Sequence, residues 1–241
     1  MGNASVKPLV DEMAAAGRGA KAITTAFQVI RAVVSFPADE RTRKPLYSVN
    51  WDKEYFDIPI ITYSRQPAFT SEEVTKIVAN ADGQFQIIFA LFAGAGFRVG
   101  EMCGLEIDKH ISSDCATIVI SQSVYNGKIQ MPKTPSTNRQ IDLHPQLARI
   151  LKAFIGDRQS GFLFRSTSGT PLSKTNLLRR HLHPILKRIG WSDPKTNDKK
   201  VGFHAFRRFR VTWLRKQRAP RTCLISGLVT AVNLNVRLFH D

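Results

Sequence analysis

No stretch of this 241-residue chain constrains its fold more than "GQFQIIFALFAGAGFR" at positions 83–98. Its apolar side chains repeat at helical spacing, with Phe85, Ile88, Phe89 and Phe92 on one face. A helix of this composition belongs at the centre of a core, and other elements must pack around it. Gly94 and Gly96 are expected to end it. Arg98 then falls on a short connection, as a placed guanidinium or as a surface cation paired with Glu101.

Periodicity and punctuation mark the neighbouring elements. Two helices are expected within residues 1–36: one over residues 6–16, and one in "KAITTAFQVIRAVVSF", where Ile23, Phe27, Ile30 and Val34 recur at helical spacing. A Gly-Arg-Gly turn at 17–19 separates them. The proline-rich, mixed-charge stretch from Pro37 to Pro67 predicts an extended linker between domains. Thr70 followed by Glu73 is a capping box that opens a helix reaching about Ala81. "CATIVISQSV", "GKIQM" and "NRQIDL" alternate or are β-rich, and together they predict a small three-stranded antiparallel sheet. Two amphipathic helices follow. One carries Leu147, Ile150, Leu151 and Phe154; the other carries Leu178, Leu182, Ile185, Leu186 and Ile189 despite Pro184.

Charge narrows the partner. The chain has 35 Lys and Arg against 19 Asp and Glu, a net charge of +16, which favours a polyanion because each cation set against a phosphate releases counterions. No apolar run approaches the roughly 18–20 residues of a bilayer span, and the N-terminus lacks a secretory h-region, so a cytoplasmic protein is expected. Cys103, Cys115 and Cys223 are odd in number and share no ligand spacing, which predicts neither disulfides nor a structural zinc.

Three islands can carry chemistry. "GAGFRVGEMCGLE" presents Arg98 just past a glycine-rich helix end. "PKTPSTNRQIDL" places Lys133 before a Ser/Thr-rich turn, where it is an exposed turn lysine or a reach into a groove. "FHAFRRFRVTWLRKQR" sets His204, Arg207, Arg208 and Val211 at i, i+3, i+4, i+7, with Phe206, Phe209 and Trp213 on an adjacent apolar stripe. A guanidinium offers a fork to non-bridging phosphate oxygens, and a histidine offers a hydrogen bond or proton near neutral pH.

In this order, and with helices between them, these islands resemble the catalytic domain of the tyrosine recombinase, or phage-type integrase, family over about residues 67–220. The resemblance implies a mainly α fold with a small antiparallel β-sheet, an α+β catalytic domain. It also implies a partial helical core-binding domain and linker over 1–66 and an aberrant tail over 221–241. In that family a Tyr attacks the scissile phosphate, forms a 3′-phosphotyrosyl link and releases a 5′-hydroxyl. Carried over, Arg98 and Arg207 clamp the phosphate, Lys133 is the general acid for the 5′-oxygen, and His204 assists proton transfer. Arg139, Lys174, Arg179, Arg180 and Arg208 are expected to bind DNA. No cofactor or metal is implied, because the guanidinium pair supplies the charge and the covalent link conserves the bond energy. The expected partners are double-stranded DNA and further recombinase copies, in a nucleoid-associated cytoplasmic setting.

The pattern departs from the family after "HAFR". The four tyrosines, Tyr47, Tyr55, Tyr63 and Tyr125, all precede Lys133, and no nucleophile is found. "LISGLVTAVN" at 224–233 can be encoded so that a two-nucleotide shift reads "DFWLGHGSK", which matches the missing family segment. The expectation is therefore a reading frame shifted near Pro220 or Arg221, and a chain inactive alone. The alternative is a non-catalytic DNA-binding accessory or competitor protein.

Overall fold

The computed structural model describes residues 3–36, 39–42, 44–46, 49–52, 54–56, 66–131, 138–192 and 201–218. Lys133 and the tail at 221–241 lie outside the described residues. The chain divides into two units, Met1–Ser64 and Arg65–Asp241.

In the first unit, helices α1 (Asn3–Ala15) and α2 (Ala20–Ser35) are joined by a turn in which Gly17 takes φ 69°, a left-handed conformation that glycine adopts without strain. Their apolar stripes meet through Val6, Val10, Ile23 and Phe27. Phe56, from the short 3-10 turn Glu54–Phe56, packs 4.7 Å from the Phe27 ring and is fully buried. Trp51 stands edge-on to Phe27 at 5.6 Å. Part of the stretch expected as a linker therefore belongs to this small core, because two aromatic rings gain more from α2 than from water.

The second unit is organised by the apolar segment. Helix α3 (Ser71–Ala79) opens with the expected box: the Glu73 amide donates to Thr70 Oγ1 at 3.2 Å and the Thr70 amide to Glu73 Oε2 at 2.6 Å. Helix α4 (Gln84–Ala95) is buried from Ile87 onward on every side, so its core is not confined to one stripe. Gly94 lies inside it, and Gly96 alone caps it, at φ 66°. Short helices α5 (Val99–Cys103) and α6 (Ile107–His110) follow.

The β region corrects the sequence-based expectation. There is no single three-stranded sheet among the described residues; two separate antiparallel pairs form instead. Strand β1 (Thr117–Ile120) pairs with β4 (Arg139–Asp142), and β2 (Ser123–Tyr125) pairs with β3 (Lys128–Gln130) through an Asn126-Gly127 turn with both φ positive. The β2–β3 hairpin lies against α5. A Cβ on Gly100 would meet the Val124 carbonyl oxygen at 3.0 Å, and one on Gly104 would meet Ser123 Cα at 3.2 Å.

Helix α7 (Pro145–Ile155) buries Leu147, Ala148, Leu151 and Ile155. The next expected helix is one continuous rod with a change of register: α8 (Lys174–Asn176), a π segment π1 (Leu177–Leu182), then α9 (His183–Arg188). Pro184 lacks the amide an α-helix would need there, and the wider π turn just before it absorbs the mismatch. Helix α10 (His204–Lys216) closes the unit. The Phe206 ring stacks on Phe89 at 5.8 Å and 5°, and Phe203 stacks on Phe92 at 5.1 Å, which fixes α10 along α4. Among the described residues no helix is long and apolar enough to cross a membrane.

Candidate nucleic-acid interface

Aromatic packing of α10 on α4 brings two sequence islands together. The Arg207 Nη1 donates to the Gly96 carbonyl at 2.7 Å, two residues before Arg98. Gly96 is favoured by its φ of 66°, and a Cβ there would also lie close to Arg210 Cγ, at 3.3 Å. The sequence resemblance named Arg98 and Arg207, and the fold anchors both on the same helix end.

Arg98 is held from below. As the N-cap of α5, its amide donates to Glu101 Oε2 at 2.7 Å and its Nη1 to Glu101 Oε1 at 2.8 Å. Arg139, reaching from β4, grips the same carboxylate with Nη1 at 2.8 Å and Nη2 at 2.7 Å, a bidentate fork. The Glu101 side chain is 5% exposed and that of Arg139 12%, whereas Arg98 is 52% exposed. Burial pushes the Glu101 carboxyl up, but the bonds and charge of Arg139, with the bonds from Arg98, outweigh it and hold the group below its ordinary value. The surface pairing is present: Arg98 bonds Glu101 while much of its side chain stays open to solvent.

Electrostatics show which groups share the site. The His204 imidazole titrates below its ordinary 6.5, first because it is partly buried and then because Arg208, Lys174, Arg207 and Arg98 act on it. Arg207 is likewise depressed by burial, then by Arg98 and Arg139, with Glu101 opposing. His204, Arg207 and Arg208 line one cavity, and the charges of Arg98 and Lys174 reach His204 there. Arg208 also donates to the Pro67 carbonyl at 2.9 Å. A cavity of about 450 Å³ opens beside them, lined by His204, Arg207, Arg208, Thr212 and Arg215 among others. A site with this many cations and one acid stores repulsion that a bound polyanion relieves.

The remaining expected residues fall elsewhere. Arg139, expected as a DNA contact, spends Nη1 and Nη2 on Glu101, and its side chain is 12% exposed. Arg179 and Arg180 are exposed on π1, and Arg180 lines a separate cavity with His181 and Arg188. Sequence reading missed Arg139 as a clamp because its partner lies 38 residues earlier, a distance that no local spacing reports. It also missed Arg210, which is 2% exposed, with Nε and both Nη atoms lacking a hydrogen-bond partner among the described residues. Among the described residues no group of three His, Cys, Asp or Glu side chains could hold a metal ion.

A mainly helical domain with small antiparallel ladders carries Arg207 and His204 on one open cavity, with Arg207 bonded two residues before Arg98. The phage integrase family model matches residues 67–224, and the chain belongs to that family, the tyrosine-recombinase type of site-specific recombination and integration proteins. The fold is similar to that of the Tn1549 transposon integrase in complex with transposon right-end DNA (TM-score 0.70, 19% identity, covering 100% of this chain and 81% of that one). It is also similar to a lambda integrase dimer bound to a COC′ core site (0.56, 16%, 94% and 76%) and to XerA recombinase (0.52, 19%, 96% and 75%). A comparison with curated proteins finds no match.

Proposed function

We propose that this chain binds duplex DNA in the cytoplasm, at the nucleoid, and seats one backbone phosphate between Arg98 and Arg207. The observation that carries this reading is the shared anchorage of the two arginines: Arg207 is bonded to Gly96, and Arg98 is locked two residues on by Glu101. Two preset guanidinium forks suit the non-bridging oxygens of a phosphodiester and the charge that grows on them during displacement. His204, kept neutral at pH 7 by its surroundings, gives the phosphate a hydrogen bond and takes part in proton transfer. Lys133 protonates the departing 5′-oxygen. Lys174, Arg179, Arg180 and Arg208 bind flanking phosphates, and further recombinase copies assemble on the same DNA. Residues 1–66 act as the helical core-binding part and 67–220 as the catalytic part.

The 241-residue chain performs no strand cleavage alone in this reading, because none of its four tyrosines follows Lys133. A Tyr delivered by another copy restores chemistry; without one, the chain occupies recombination sites as an accessory or competitor. The test uses a duplex selected from a random library and a copy with one phosphate replaced by neutral methylphosphonate. R98A and R207A should each weaken binding to the native duplex about tenfold or more, and much less to the copy neutralised at the clamped phosphate. Equal losses on every duplex would overturn the clamp. A covalent adduct formed by this chain on a nicked suicide duplex would overturn its inactivity.

A further inference from the structure

At the far end of α4 lies a second concentration of positive charge. Helix α4 rises about 18 Å from Gln84 to the Gly96 end, so this place is separate from the Arg98 cluster. A cavity of about 720 Å³ there is lined by Gln84, Arg158, Arg165, Ser166 and Ser168 among others, and by no carboxylate. The Gln84 side chain binds both backbone groups of Arg165, its Nε2 donating to the carbonyl at 3.0 Å and its Oε1 accepting from the amide at 3.2 Å. That double bond fixes the start of the loop on the N-terminal end of α4, which has no side-chain cap and no acid in its first turn.

The loop then folds back on itself. Its Ser166 hydroxyl lies 2.9 Å from Ser168 Oγ and 2.8 Å from Thr170 Oγ1, and the last two are 3.3 Å apart. Gly169, at φ 80°, permits the reversal. Arg158 spends Nε, Nη1 and Nη2 on the carbonyls of Ile155, Leu163 and Phe154, each at 3.3 Å, and lies 4.8 Å from the Phe154 ring centre. Its position is therefore rigid while part of its donor capacity remains. Burial, and then the charge of Arg165, depress its titration, which records two cations placed together with no acid between them.

We propose that this cavity is a second phosphate-binding site, in which Arg158 and Arg165 supply charge and the Ser166 and Ser168 hydroxyls, which line it, turn out of their mutual bond to donate to the phosphate oxygens. Like charges held together in a hydroxyl-lined cavity are stable only at a cost, and a tetrahedral oxyanion turns that repulsion into binding. The phosphate comes either from the backbone of bound DNA or from a free phosphate compound. The site does not depend on the clamp at Arg98.

The test is a titration of the full chain with inorganic phosphate, without DNA, followed by the backbone amide resonances of Ser166, Thr167, Ser168 and Gly169. Saturable shifts are expected in the wild type, and R165A and S168A, both at exposed positions, should weaken them about tenfold or more. R98A should leave them unchanged. A second arm measures the salt dependence of duplex affinity. If DNA supplies the phosphate, R165A lowers the slope of log affinity against log salt by about one. If the phosphate is free, the slope is unchanged while the amide shifts persist. Absence of shifts together with an unchanged slope would overturn the proposal, as would shifts of equal size in R165A, S168A and the wild type.

Discussion

Removing the Arg139 guanidinium leaves the Glu101 carboxylate buried with Arg98 as its remaining described cation. R139M is accordingly expected to destabilise the fold by about 3 kcal/mol, whereas E101M/R139M recovers much of that loss because no buried charge is then left alone. Urea unfolding of the three proteins checks both statements. The pH dependence follows from the same contact. Glu101 titrates below its ordinary 4.5 in the fold, so its contribution is complete above about 4.5 and is lost as pH falls through the lowered value. E101Q should flatten that acid limb. His204 behaves differently at the ligand level. Its pKa is depressed by burial and then by neighbouring cations, and a phosphate seated among those cations offsets them. DNA binding should therefore raise the His204 pKa and be accompanied by proton uptake, which imidazole resonances followed through a pH titration with and without duplex will report.

At the scale of elements, α10 carries both an asset and a defect. Phe203 and Phe206 place it on α4; Phe206 was readable in the stripe with Phe209 and Trp213, whereas Phe203, just before the helix, was not. Arg210 was not readable as buried, since a basic residue in a basic helix looks like one more solvated cation. Its side chain instead lies against Gly96 and 5.2 Å from the Trp213 ring centre, and burial pushes its pKa down to about 10. The group is still charged at pH 7, so R210M should stabilise the chain by at least about 1 kcal/mol in thermal or urea unfolding. An unchanged or lowered midpoint would contradict this account. The β elements show a similar limit. Alternation revealed the strands, but partner choice depends on the close approach of the β2–β3 hairpin to Gly100 and Gly104, which spacing does not encode. Helix boundaries fared better where a cap names them, as at Thr70 and Glu73.

For the whole molecule, the family was legible before any coordinates, because the short motifs that hold Arg98, Lys133, His204 and Arg207 stand in the family's order. What joins them was legible only in part: the pairing of Arg98 with Glu101 spans three residues and was expected, whereas Arg207 on the Gly96 carbonyl and the inward turn of Arg139 onto Glu101 are contacts across long stretches of sequence. The coding DNA through position 241 tests the shifted-frame expectation. Nucleotides that spell Trp and Gly-His in the alternative frame are expected after the codon for Arg221, and their absence refutes it. The bond from Arg207 to Gly96 has a last consequence. Because Arg207 is tied to the peptide that leads into Arg98, thermal drift of α10 along α4 acts on both together, and the gap between the two guanidinium groups is preserved as a common-mode quantity even when their position is not.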